Sequence, residues 1–94
     1  MEEIRIGSIG SGFIVHNIMD HVQNTDGMRL VAVYSRSQET GEQLASKYGV
    51  TKVYTDLEVF LQDEETNFIY VASPNSLHYA QAKKALLAGK NVIC

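Results

Sequence analysis

Apolar positions along the chain follow two periods that alternate. Ile4 to Ile9 reads as a short strand ending at Gly10. Beyond it Val15, Ile18, Met19 and Val22 fall at i, i+3, i+4 and i+7, the spacing of one face of a helix. Leu30 to Tyr34 is an unbroken apolar run, as a parallel strand shows when helices cover both its sides. Gly41, Leu44, Ala45 and Tyr48 restore the helical register, and Gly49 is placed to end that helix. After a brief extended piece around Val53, Asp56 is predicted to cap a short helix that buries Leu57, Phe60 and Leu61. Phe68 to Ala72 is a further buried strand. A last helix starts near Asn75, turns Ala82, Ala85 and Leu86 inward and closes at Gly89, after which Asn91 to Cys94 opens one more strand.

Alternation of strand and helix with short connections predicts an α/β fold of the Rossmann type. Its core is a doubly wound parallel sheet of about five strands with helices on both faces. At 94 residues the chain is one small domain, with no repeat, linker or low-complexity stretch to divide it.

Composition agrees with a folded chain: 45% apolar and 20% charged residues are close to globular averages. A net charge of -3 supplies no basic field to gather nucleic-acid phosphates or anionic membrane, so neither partner is expected. The acidic start Met1-Glu2-Glu3 is unlike a signal peptide, and no apolar run has the length of a membrane span. The single cysteine, Cys94, has no internal partner, and no Cys/His spacing suggests a metal site. A reducing compartment, by default the cytoplasm, is expected.

The candidate chemistry lies at strand exits. Gly10-Ser11-Gly12 falls between the first strand and the first helix, where a tight turn brings backbone N-H groups against a diphosphate. Gly10 permits the turn and Gly12 a close approach, and the positive end of the helix starting at Phe13 faces the anion. Gly7, upstream in the strand, is expected to serve packing. The third fingerprint position is Val15, where glycine or alanine is usual, so the helix is expected slightly further from the sheet.

At the exit of the second strand an NAD-preferring site carries a carboxylate for the ribose hydroxyls. Here the residues are Ser35, Arg36 and Ser37, a guanidinium with two hydroxyls, which suit a 2'-phosphate and favour NADP over NAD. Lack of a carboxylate removes a repulsion, although Glu39 lies nearby. The competing reading of Arg36 is a solvated arginine in a turn.

Ser73-Pro74-Asn75-Ser76-Leu77-His78 leaves the fourth strand and opens a helix, again at the carboxyl edge of the sheet. Asn75 either caps that helix or serves a ligand. His78 shares a face with Ala82 and Ala85, near a helix N-terminus that disfavours its protonation. Structural and functional roles for it both stay open. His16 and His21 read as solvent-facing or partly buried helix residues, and Asp63-Glu64-Glu65 as a solvated acidic run at a helix end.

With these residues in hand, the chain resembles the N-terminal domain of the Gfo/Idh/MocA oxidoreductases. The likeness covers essentially all of it: Ile6 to Ile14, Val31 to Ser37, Ser73 to His78 and Ala88 to Cys94, in the family's order. The resemblance implies reversible hydride transfer between a nicotinamide and a hydroxyl-bearing carbon, often on a sugar or cyclitol. It assigns Gly10, Gly12, Phe13 and Ile14 to the diphosphate, Ser35 and Arg36 to the adenosine ribose or its phosphate, and Ser73, Asn75 and His78 to the nicotinamide end.

In that family the last segment continues into Glu-Lys-Pro, whose lysine assists proton transfer, and then into an open antiparallel sheet domain that contacts substrate and often forms the oligomer interface. Residues 1–94 are therefore expected to be the NAD(P)-binding part of a longer two-domain, homo-oligomeric enzyme, with no catalytic residue of their own and a sugar or polyol as the parent's substrate. Two other readings compete: a non-catalytic NADP-binding regulatory module, and a methyltransferase using S-adenosylmethionine. The latter ligand has no diphosphate, and it leaves the Pro-Asn-x-x-His exit unexplained.

Overall fold

The structure, a computed structural model, describes residues 3–10, 12–72 and 75–93, with the backbone alone for 13, 14 and 75–78. Strands and helices alternate: β1 (Ile4–Ile9), α1 (Phe13–Gln23), β2 (Met28–Tyr34), α2 (Gln38–Lys47), β3 (Val53–Tyr54), α3 (Leu57–Leu61), β4 (Phe68–Val71), α4 (Asn75–Leu87) and β5 (Asn91–Ile93). The five strands form one parallel sheet in the order β3-β2-β1-β4-β5. Chain order thus runs outward from β1 to one edge and then resumes on its other side, the doubly wound arrangement that the alternating pattern predicts.

Each face of the sheet has its own core. On one, Val15, Met19 and Val22 of α1 and Leu44 and Ala45 of α2 pack on Ile6, Leu30 and Val33. On the other, Phe60 and Leu61 of α3 and Ala85 of α4 pack on Ile9, Ile69 and Val71. Pairing passes from Ile6↔Leu30 to Gly7↔Ala32, so Val31 is an extra residue in β2 and both Val31 and Ala32 turn to the α3–α4 face. No sequence period announces that irregularity.

Several predicted stops and caps are in place. Asp56 Oδ1 accepts the N–H groups of Glu58 and Val59 at 2.9 and 3.2 Å, capping α3. Gly49, after α2, takes the left-handed conformation at φ 71°. Gly7 does serve packing: a Cβ there would lie 2.8 Å from the Phe60 ring and 2.9 Å from the Thr66 methyl. Gly7→Ala should therefore destabilise the fold by about 2 kcal/mol through overpacking, read as a lowered urea midpoint. A midpoint equal to the parent's would show that Phe60 relocates freely.

Two expectations need correction. Leu86 is not inward but 60% exposed, because the stripe of α4 that meets the sheet runs through Gln81 and Ala85, with Ala82 at its border. The acidic run after α3 is not simply solvated. Asp63 is buried, and its Oδ1 accepts the N–H groups of Glu65 and Thr66 at 2.9 and 3.3 Å, which turns the chain into β4. Its carboxylate also meets the Tyr54 hydroxyl at 2.7 Å and Lys52 Nζ at 3.3 Å. Glu65 joins the same group through Lys52 at 2.9 Å and Arg29 at 3.2 Å.

Burial by itself would raise the Asp63 pKa. The bonds from Tyr54, Lys52 and the Glu65 N–H outweigh it and hold this carboxyl below its ordinary value. Lys90 Nζ completes the cluster by donating to the carbonyls of Asp63 and Thr66, both at 2.6 Å.

Candidate functional site

The pairings Ile9↔Tyr34 and Ile9↔Val71 end β1, β2 and β4 at one level. The connections that leave β1 and β4 run to helices on opposite faces, so they open a crevice between the two strands at the carboxyl edge. Three chain exits border it: the turn after β1, Ser35 to Ser37 after β2, and the segment after β4.

The first exit is shaped by Gly10. Its φ of 108° belongs to glycine, and its N–H donates to the Tyr34 carbonyl at 2.9 Å. Ser8, fully buried in β1, donates its hydroxyl to the Gly10 carbonyl at 2.8 Å and so fixes the turn; the sequence reading assigned it no role.

Gly12 is different. At φ -76° and ψ -176° it has a backbone any residue adopts, and among the described residues nothing lies within 4 Å of where its Cβ would be. It caps α1 with no side-chain hydrogen bond, and no acidic residue stands in the first turn. The opening N–H groups of α1 therefore have no side-chain cap from Gly12 at the positive end of the helix. A cleared approach and uncapped donors fit the diphosphate of a dinucleotide.

The second exit is built by α2. Ser35 is 5% exposed, its N–H donates to the Tyr54 carbonyl at 3.0 Å, and its hydroxyl lies 2.6 Å from that of Thr40. Ser37 is the N-cap of α2, accepting the Thr40 N–H at 3.4 Å, while its carbonyl accepts the Gly41 N–H at 3.1 Å. α2 comes this close because residue 41 is glycine: a Cβ there would lie 2.6 Å from Val53 Cγ1 and 3.2 Å from Ser35 Cβ.

Arg36 is exposed and has no hydrogen-bond or ion-pair partner among the described residues. Glu39, the nearby carboxylate, borders an open cleft of about 620 Å³ along α2 and β3 with Glu42 and Gln43. Of the second-exit residues, the sequence reading missed Thr40; its place three residues after Ser37 and next to Gly41 was the available signal.

At the third exit, Ser73 lies outside the described residues. So do the side chains of Asn75 and His78 at the start of α4, and of Phe13 and Ile14 at the start of α1. His16 is half-buried and His21 exposed on α1, as expected. Among the described residues no group of three His, Cys, Asp or Glu side chains is placed to hold a metal, and no helix is long and apolar enough to cross a membrane.

This geometry has known counterparts. Residues 4–94 match the family model GFO_IDH_MocA, described as an oxidoreductase family with an NAD-binding Rossmann fold. The chain is 35% identical over 97% of its length to the uncharacterized oxidoreductase YgjR of Escherichia coli (strain K12). It is 33% identical over 97% of its length to the scyllo-inositol 2-dehydrogenase (NADP(+)) IolU of Bacillus subtilis (strain 168). It spans 28% of the length of each of these relatives.

Among solved structures, myo-inositol dehydrogenase from Lactobacillus casei, in complex with NAD(H) and myo-inositol, superposes with a TM-score of 0.88 at 29% identity. The superposition covers 96% of this chain and 27% of that one. The chain belongs to the Gfo/Idh/MocA oxidoreductase family and carries its NAD-binding Rossmann fold.

Proposed function

We propose that this chain is the NADP(H)-binding domain of an oxidoreductase that moves hydride between a nicotinamide and a hydroxyl-bearing carbon of a sugar, cyclitol or similar polyol. The observation that carries the cofactor choice is the exit of β2, where a small serine replaces the expected carboxylate and the adjoining Arg36 has no partner among the described residues. A guanidinium in that state can take a phosphate bidentately.

In this reading Gly10, Gly12 and the backbone of Phe13 and Ile14 hold the diphosphate. Ser35, Arg36 and Ser37 hold the 2'-phosphate, and Ser73, Asn75 and His78 lie by the nicotinamide. The cofactor supplies the hydride chemistry; these residues bind and orient it. The polyol substrate is supported by the inositol dehydrogenases among the relatives. The lysine that moves the substrate's proton is proposed to follow this segment in a Glu-Lys-Pro motif, and the substrate contacts to lie in a second domain, of a longer, homo-oligomeric cytoplasmic protein.

Titration of the chain with NADPH and NADH tests the cofactor choice. NADPH should bind about tenfold more tightly, and Arg36→Ala should erase that margin by removing a charge-assisted pair while leaving NADH unchanged. Equal affinities in the parent chain, or an Arg36→Ala variant that keeps full NADPH affinity, would sink it.

A further inference from the structure

The turn proposed to read the 2'-phosphate is held from outside by Tyr54. The Ser35 N–H donates to the Tyr54 carbonyl at 3.0 Å, the last link between β2 and the two-residue edge strand β3. From that position the Tyr54 ring reaches under α3, edge-on to Phe60 at 5.8 Å between centroids, and its hydroxyl donates to Asp63 Oδ2 at 2.7 Å. The Asp63 side chain is 2% exposed, and its carboxylate is fixed in turn by Lys52 and by the N–H groups of Glu65 and Thr66. One residue thus has its backbone on the recognition turn and its side chain on a buried, fully bonded anion.

We propose that Tyr54 is a positioning residue for 2'-phosphate recognition, acting through the Ser35 amide on the direction of Arg36. The inference rests on the reading that Arg36 takes that phosphate. Arg36 has no side-chain partner among the described residues, so its aim is set by the backbone of residues 35 and 36. Only two residues of β3 pair with β2, at Val33↔Val53 and Tyr34↔Tyr54, so this short strand depends on side-chain anchors to stay in place. Loss of the Tyr54 hydroxyl releases the anchor nearest the turn. NADH, with no charge at the 2' position, does not use the aim of Arg36.

The test is a double-mutant cycle on the chain, with Tyr54→Phe, Arg36→Ala and both together, measuring dissociation constants for NADPH and NADH. Tyr54→Phe should weaken NADPH roughly fivefold, since only part of the worth of the lost bond to the Asp63 carboxylate reaches Arg36, and leave NADH within about twofold. The double variant should bind NADPH no worse than Arg36→Ala alone. Equal weakening of both dinucleotides by Tyr54→Phe, or a double variant whose loss is the product of the single losses, would overturn the inference while leaving Arg36 in its role. An Arg36→Ala variant with undiminished NADPH affinity overturns the 2'-phosphate reading and this inference with it. Should Tyr54→Phe fail to fold, Asp63→Asn loosens the same anchor, and the same selective loss is expected.

Discussion

Gly12→Val should abolish dinucleotide binding, by a factor of about a hundred or more in Kd, without measurable cost to the fold. The two halves of that expectation have separate causes. A valine at position 12 meets no backbone strain, since φ -76° and ψ -176° are open to any residue, and no atom of the described residues lies within 4 Å of the Cβ it would introduce. The unfolding midpoint should stay within about 2 °C of the parent's. The same emptiness is what a diphosphate needs, and a branched side chain there would hold it away from the N–H groups that open α1.

Gly10→Ala makes the control, because it fails for the opposite reason. Its φ of 108° disfavours any side chain, and the new Cβ would stand 3.4 Å from the Ala72 carbonyl oxygen, so stability should fall by about 1 kcal/mol. Calorimetric titration with NADPH beside thermal unfolding separates the cases. A Gly12→Val variant that still binds NADPH within about threefold of the parent would move the diphosphate away from this turn.

That contrast marks how far the sequence could be read. Gly10-Ser11-Gly12 is legible as a phosphate turn because its meaning is local: a strand before, a helix after, two glycines between. Local too are the Asp56 cap and the Gly49 stop. The exits of β2 and β4 follow from the alternation of periods, since parallel strands joined by helices bring their carboxyl ends to one edge.

Illegible are the features that depend on residues distant in the chain. Asp63 reads as one of three acids at a helix end, and only the fold brings Lys52 and Tyr54 to it. Leu86 fails for a related reason. Alanine-rich α4 offers no sharp apolar stripe, and the sheet-facing line through Gln81 and Ala85 is set by how the helix lies on β4 and β5. The Ser35–Thr40 contact needs both the cap at Ser37 and the close approach over Gly41.

Asp63 is also where the largest loss of stability is expected. Asp63→Ala would orphan the Tyr54 hydroxyl beneath α3 and the N–H groups of Glu65 and Thr66, and would take from Lys52 one of its two carboxylate partners. Stranding buried donors around a deleted anion costs about 3 kcal/mol, which for a domain of this size lowers the unfolding midpoint by roughly 15 °C. Asp63→Asn, which keeps an acceptor oxygen, should cost about half as much.

The effect carries a pH signature whose sign is fixed by linkage. The folded chain holds the Asp63 carboxyl below its ordinary 3.8, so its stabilisation is complete above that value and is lost as pH falls through the lower folded value. The gap between parent and Asp63→Ala should therefore be widest near neutrality and begin to narrow only below about pH 4, whereas Glu65, also held low by Lys52, titrates in both proteins. Urea unfolding of the two chains from about pH 7 down to about pH 3 reads this directly. A gap that persists undiminished at the acid end would mean that Asp63 acts by shape alone, and equal stability at neutrality would mean that the cluster beneath the sheet holds nothing.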